Sequence, residues 1–216
     1  MPKDQFRHVR HWVFDLDNTL YPPAMRLFDQ IEHRMTDFVM RITGATRDHA
    51  DRLRRQWWAD HGTTLAGLMQ HHDVDPDVYL EEVHDISFDA LTPDPHLAEL
   101  ISQLPGRKIV YTNGSAPYAA QVLKARGLEA AFDAIYGVED ADYTPKPDRS
   151  AFERVFALAG VTPGDAAMFE DDPRNLAAPH RMGMRTVLVG PTAHDADHIH
   201  HHTDDLTGFL RRITPE

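Results

Sequence analysis

An apolar run, Trp12-Val13-Phe14, ends in Asp15-Leu16-Asp17-Asn18-Thr19. Side chains alternate along a strand, so Asp15 and Asp17 start out on the same side. Two carboxylates at the mouth of a parallel sheet can hold a magnesium ion, and one of them can attack phosphorus. An acidic turn after a buried strand has the same composition, so the pair alone does not decide. Three more polar groups follow further along: Thr112-Asn113-Gly114-Ser115, Lys146 within Thr144-Pro145-Lys146-Pro147-Asp148, and Glu170-Asp171-Asp172. Each alone has a plain alternative, namely a helix cap, a surface lysine and an acidic turn. Their joint occurrence at successive strand ends is what selects chemistry, because ligands of open parallel sheets collect there.

The elements that must position these residues can be read from apolar spacing. Short apolar runs at 12–14, 108–112, 134–138, 166–169 and 186–189 predict five strands. Helical patterns near 118–126, 150–159, 176–182 and 206–212 alternate with them. Such alternation predicts an α/β fold, a Rossmann-like parallel sheet core with helices on both faces. Between the first two strands, Leu27, Ile31, Met35, Phe38, Val39 and Ile42 recur at helical spacing and Gly44 stops them. Further helices are expected through Leu53, Trp57 and Trp58 to Gly62, then at 65–71 and 76–83. This block has no convincing strand. It divides the chain into a core of residues 1–20 and 92–216 and an inserted all-helical cap of residues 21–91. The histidine-dense tract from His194 to His202 reads as a solvated loop into the last helix, with a metal site as its alternative.

Composition narrows the partners. The 216 residues suit one domain with an insertion, and 42% are hydrophobic. Lys plus Arg number 22 against 34 Asp plus Glu, a net charge of −12. That surface repels polyanions, so no nucleic acid polymer is expected as a partner. A small phosphorylated metabolite remains possible where a local cation offsets its charge. The chain has no cysteine, which excludes disulfides and zinc–thiolate sites and fits the cytoplasm. No apolar run approaches the roughly 20 residues of a membrane span, so no membrane partner is expected. The N-terminal residues carry no apolar signal core.

Asp15-Leu16-Asp17-Asn18-Thr19, Thr112-Asn113, Lys146-Pro147 and Glu170-Asp171-Asp172 resemble the four motifs of the haloacid dehalogenase-like phosphohydrolases. The resemblance covers nearly the whole chain, and the helical block looks like the C1 cap of that superfamily. Residues 15–22, Gly62-Thr63-Thr64-Leu65 and Tyr143-Thr144-Pro145-Lys146-Pro147 look like its pyrimidine 5′-nucleotidase-like branch. The resemblance implies that Asp15 is the nucleophile and forms an aspartyl-phosphate. Asp17 would protonate the leaving alcohol and then activate water. Asp15, the Asp17 carbonyl and Asp171, together with Glu170, would hold Mg²⁺. Thr112, Asn113 and Gly114 would hold phosphoryl oxygens, and Lys146 would neutralise charge beside Asp15.

Rival readings differ in what they require. A dehalogenase needs the first aspartate without a metal, and Asp17 with Glu170 and Asp171 argues against it. A phosphoglycolate or sugar-phosphate phosphatase shares the core, and the cap would separate it from a nucleotidase. A receiver-type signalling module places its acid pair after strand one and its acceptor after strand three, unlike this order. Within the cap, Trp57, Trp58 and His61 could reach a base, although tryptophan at helical spacing is core more often than ligand. Thr63 and Thr64, beside the turn that Gly62 permits, are the expected substrate contacts.

Overall fold

The fold, a computed structural model, is described for residues 2–214. It opens with α1 (Pro2–Gln5) and β1 (His11–Phe14). Four helices follow, α2 (Leu27–Thr43), α3 (Arg47–His61), α4 (Thr64–His71) and α5 (Pro76–Val83). The chain then alternates: α6 (Pro95–Gln103), β2 (Arg107–Tyr111), α7 (Ala116–Arg126), β3 (Ala134–Tyr136), α8 (Arg149–Ala159) and β4 (Ala166–Glu170). It ends with α9 (Pro173–Arg181), β5 (Arg185–Val189), β6 (His201–Thr203) and α10 (Leu206–Ile213).

The strands form one six-stranded sheet in the order β3-β2-β1-β4-β5-β6, and every pairing is parallel. Both faces are covered, as a parallel sheet requires. Strand alternation sorts the side chains: Trp12 and Phe14 join one apolar cluster with α6, α7 and α10, while Val13 joins the other with α8 and α9. Aromatic rings link neighbouring strands, with Phe14 stacked on Phe169 at 4.5 Å.

The register positions the chemistry. Phe14 pairs with Val110 on one side and Phe169 on the other. The residues one step further, Asp15, Tyr111 and Glu170, therefore emerge side by side. Because β1 sits between β2 and β4, its end is where strand order reverses direction, the usual place for a crevice.

The block between β1 and β2 is helical throughout its regular elements. Leu27, Ile31, Thr36, Phe38 and Val39 are the buried residues of α2, and the αL backbone of Gly44 ends that helix. Burying each of the large side chains stabilises by about 1.5–3 kcal/mol, so this face anchors the helix. Arg126 holds the foot of the block. Its guanidinium, buried in α7, donates to the carbonyls of Leu20 and Thr92 and to Asp94 at 3.0 Å. One side chain thus clips the two segments through which the helical block joins the sheet.

Two expectations need correction. The sheet has six strands rather than five, because His201–Thr203 pairs with β5 instead of lying in a solvated loop. Imidazoles add to this main-chain pairing: the Thr186 N–H donates to His200 Nδ1 at 3.1 Å, and His202 Nε2 donates to Gly190 O at 2.7 Å. A histidine run shows no apolar alternation, so the pattern hid the strand. The run from Ala134 stops as a strand at Tyr136 and turns into a 3₁₀ segment at Val138–Ala141. Helix α6 was not anticipated, although Asp94 accepts from the Leu97 N–H and Pro95 starts the helix, a recognisable cap.

Candidate active site

Asp15 follows β1 directly, and its N–H donates to Phe169 O at 2.9 Å, which continues the β1–β4 ladder by one residue. The residue is 5% exposed. Lys146, 1% exposed, reaches it from the loop before α8, with Nζ donating to Asp15 Oδ1 at 2.7 Å. The same Nζ donates to Glu170 Oε1 at 2.7 Å and to Tyr111 O at 3.1 Å. All three ammonium hydrogens are therefore used. Desolvation pulls the lysine pKa down, but Asp15 and Glu170 prevail and hold it above its usual range.

The loop carrying Lys146 is fixed by Asn113. The Asn113 amide donates to Lys146 O at 3.1 Å and accepts from the Lys146 N–H at 2.8 Å. The side chain of Asn113 is thus engaged with backbone. Gly114 is engaged too, its N–H donating to Thr112 Oγ1 at 2.9 Å. The hydroxyl hydrogen of Thr112, rather than that amide, is what this turn offers a ligand. A Cβ on Gly114 would lie 3.0 Å from the Tyr118 ring, so a side chain there would crowd the turn.

Asp17 differs from Asp15 in its partners. Its Oδ1 accepts from the Tyr21 hydroxyl at 2.5 Å and from the Tyr118 hydroxyl at 2.7 Å. No described protein group donates to its Oδ2. Burial raises its pKa, and the two tyrosine hydrogen bonds oppose that rise. Tyr118 is itself stacked on His84 from the end of α5, with ring centroids 4.2 Å apart. Sequence reading missed both tyrosines. Tyr21 lies four residues after Asp17 and was within reach of a local argument, whereas Tyr118 comes from α7 and has no local signal.

The acids form one group. Asp15, Glu170 and Asp171 each offer an oxygen, and these atoms all lie within 4.8 Å of one another. Among the described residues, no other cluster of three acids, imidazoles or thiols meets that condition, the histidine tract included. Burial, then the neighbouring Glu170, pushes Asp15 up to about 8 and Asp171 up to about 9. A cation among them would reverse that pressure. Asn18, in the left-handed region at φ 60°, donates to Asp171 Oδ2 at 3.2 Å. Glu170 is more heavily engaged: Oε1 also accepts from Asn175 at 2.7 Å, and Oε2 accepts from the Asp172 N–H at 2.7 Å. Asn175 Oδ1 is buried with no protein partner, an acceptor left for a hydrated cation. The donor set is all hard oxygen and fits magnesium.

A cavity of about 790 Å³ lies between this group and helices α2 to α5. Asp15, Asp17, Thr112, Lys146 and Asp171 border it from the sheet, and Thr63 and Thr64 from the start of α4. Thr63 caps α4, accepting from the Ala66 N–H at 3.1 Å. Thr64 is buried, its hydroxyl 3.5 Å from Arg54 O. Gly62, at φ +88°, lets this turn come close: a Cβ there would sit 3.0 Å from Lys146 O. Trp57 is core, 5% exposed, while Trp58 is half exposed and lies under the Arg174 guanidinium at 3.6 Å.

Comparisons with known proteins place the chain in a family. Residues 9–183 match the haloacid dehalogenase-like hydrolase family. The chain is 29% identical over 203 residues to validoxylamine A 7′-phosphate phosphatase of Streptomyces hygroscopicus subsp. limoneus, covering 86% of this chain and 87% of that protein. It is 27% identical over 193 residues to phosphate metabolism protein 8 of Saccharomyces cerevisiae, covering 82% of this chain but only 60% of the yeast protein's length. A HAD phosphatase from Thermococcus onnurineus shares the fold, with a TM-score of 0.63 and 20% identity over 95% of this chain and 97% of that one. The matched span runs from before β1 to just past α9 and takes in all four polar groups at the strand ends, and the chain belongs to the haloacid dehalogenase-like hydrolases.

Proposed function

We propose that this protein is a magnesium-dependent phosphomonoesterase that works through an aspartyl-phosphate, with pyrimidine nucleoside 5′-monophosphates as its substrates. The observation that carries the reading is the difference between its two aspartates. Asp15 is buried against Lys146 in the acid group, and Asp17 is held by two tyrosine hydroxyls at the same strand end. A dehalogenase has no use for the second carboxylate so placed. Residues 21–91 act as a cap over a core of residues 1–20 and 92–216, and the Arg126 clip at their junctions supports that division.

The residues divide the work as follows. A carboxylate oxygen of Asp15 attacks phosphorus, and the bond to the leaving oxygen breaks. Asp17 gives its proton to that oxygen through Oδ2, since Oδ1 is occupied by the tyrosines. Asp17 then takes a proton from water, which attacks the acyl-phosphate and releases phosphate and Asp15. Lys146 and the Thr112 hydroxyl stabilise charge on the phosphoryl oxygens, preorganised by Asn113 and Glu170. Asp15, Asp171 and the Asp17 carbonyl would hold magnesium, which would supply the positive charge that keeps Asp15 ionised. Glu170, which already accepts three hydrogen bonds, fits an anchor for Lys146 better than a direct ligand.

A phosphatase for sugar-like phosphates is the second reading, supported by the name of the Streptomyces relative. The test is a panel of UMP, CMP, AMP, glucose 6-phosphate and phosphoglycolate, assayed for phosphate release with magnesium and with excess chelator. Highest kcat/KM on UMP or CMP supports the nucleotidase reading, and highest efficiency on a sugar phosphate moves it to the second. Full activity in excess chelator overturns the metal assignment.

A further inference from the structure

One residue from each of the four helices α2 to α5 borders the cavity opposite the sheet: Glu32, Arg54, Thr64 and Tyr79. Arg54 Nη1 donates to Glu32 Oε1 at 3.0 Å. Among the described residues that is the only acceptor its side chain meets, although a guanidinium has five donors. The Arg54 side chain is only 12% exposed, and its Nε is sealed from solvent without a partner. Tyr79 is 2% exposed, and its hydroxyl makes no hydrogen bond of good geometry, the nearby Thr64 hydroxyl included. Two buried donors without acceptors on one cavity wall are costly to keep, because each forgoes the hydrogen bond it makes in water. A bound group that supplies acceptors removes that cost.

We infer that Glu32, Arg54 and Tyr79 form the subsite for the leaving group, and that it takes an uncharged group carrying a carbonyl or hydroxyl acceptor rather than a second anion. This rests on the phosphomonoesterase reading above. The charge argument is local. Arg54 is already neutralised by Glu32, Arg174 by Asp172 and Lys146 by Asp15 and Glu170. Of the other basic residues on the cavity, Arg55 and His194 are exposed, where water screens them, and burial holds the His84 imidazole below its usual pKa. A carboxylate on the leaving group would therefore meet Glu32 without a spare buried cation. Neutral acceptors suit the unfilled donors of Arg54 and Tyr79 once the wall yields to a ligand, since Arg54 Nε and the Tyr79 hydroxyl are sealed without an acceptor, and Glu32 can accept from a neighbouring N–H or O–H. Phe28, Ile31, Met35 and Leu65 supply an apolar flank for a ring. The volume of about 790 Å³ suits a nucleoside or polyol and far exceeds glycolate.

Tyr79→Phe and Arg54→Lys test this. Tyr79→Phe removes a hydroxyl with no protein partner, so folding is preserved, and circular dichroism checks it. The expected result is a loss in kcat/KM that is larger on UMP or ribose 5-phosphate than on acetyl phosphate, by about tenfold for Tyr79→Phe, the scale of one hydrogen bond. UMP against ribose 5-phosphate tells a base from a sugar as the occupant. Equal loss on all substrates, or no loss on any, overturns the subsite, as does phosphoglycolate emerging as the substrate most sensitive to Arg54→Lys. Calorimetry with uridine, ribose and glycolate supplies a readout that needs no chemistry. Uridine or ribose binding to the wild type and weakened in both variants supports the subsite even where no phosphoester is hydrolysed, a result that would sink only the phosphatase reading. Glycolate binding in preference to both overturns the inference.

Discussion

Replacing Lys146 by methionine keeps the buried stem and removes the charge with its three hydrogen bonds. Asp15 and Glu170 then lie 5% and 0% exposed without their shared cation. Breaking a buried ion pair from one side costs about 3–5 kcal/mol. For a chain of this size that corresponds to roughly 10 °C in Tm. The cost has a pH signature. The pKa of Lys146 is raised, so its stabilisation is present below its ordinary value of 10.5 and persists throughout the neutral range. What titrates in the variant is the carboxylates: losing the lysine removes the charge and hydrogen bond that hold the Asp15 pKa down, so its carboxyl rises further and protonation relieves the repulsion. The Tm deficit should be largest near pH 8.5 and shrink toward pH 5. Catalysis should fall about 10²–10³-fold, the usual loss for one preorganised group that stabilises developing charge. Differential scanning calorimetry at both pH values and phosphate release from p-nitrophenyl phosphate measure the two effects. A variant with wild-type rate and a Tm within 2 °C of wild type at pH 8.5, roughly the shift of less than 1 kcal/mol, would falsify the reasoning.

Three further outcomes are expected. Asp15→Asn should abolish turnover while far-ultraviolet circular dichroism stays native, because an amide cannot form the phosphoenzyme; wild-type turnover in that variant removes Asp15 as nucleophile. Asp15 and Asp171 are raised from 3.8 to about 8 and about 9, so their neutral forms favour the fold at low pH and that contribution is lost as pH rises through those values. Thermal unfolding in chelator should therefore show Tm falling from pH 5 to pH 9, and magnesium should raise Tm more at pH 8.5 than at pH 5.5; equal shifts at both would remove these acids from the ion site. Tyr118→Phe deletes a donor that lowers the Asp17 pKa, so the limb of the pH–rate profile that reports Asp17 should move to higher pH, and an unmoved profile would show that the tyrosine only packs.

The sequence by itself determined the parallel α/β sheet, because a strand buried on both faces must be apolar throughout and the helices between such strands keep their own period. It also determined which residues stand at the strand ends, since Asp15, Thr112 and Glu170 each directly follow an apolar run. Helices α2 to α5 were legible from periodicity and from the glycine stops at Gly44 and Gly62, whereas α6 was not. The histidine edge strand was not either, because it pairs with β5 through the main chain and its histidine run shows no apolar alternation. Tertiary structure alone decided how the polar residues are shared out. It gave Glu170 and Asn113 to Lys146, gave the Gly114 N–H to Thr112, and clamped Asp17 with Tyr21 and Tyr118. It also brought Glu32, Arg54 and Tyr79 to one wall from three helices whose sequence spacing carries no trace of that meeting. Periodicity records which face of an element is buried; which distant polar group waits on that face is set by the packing of elements against one another.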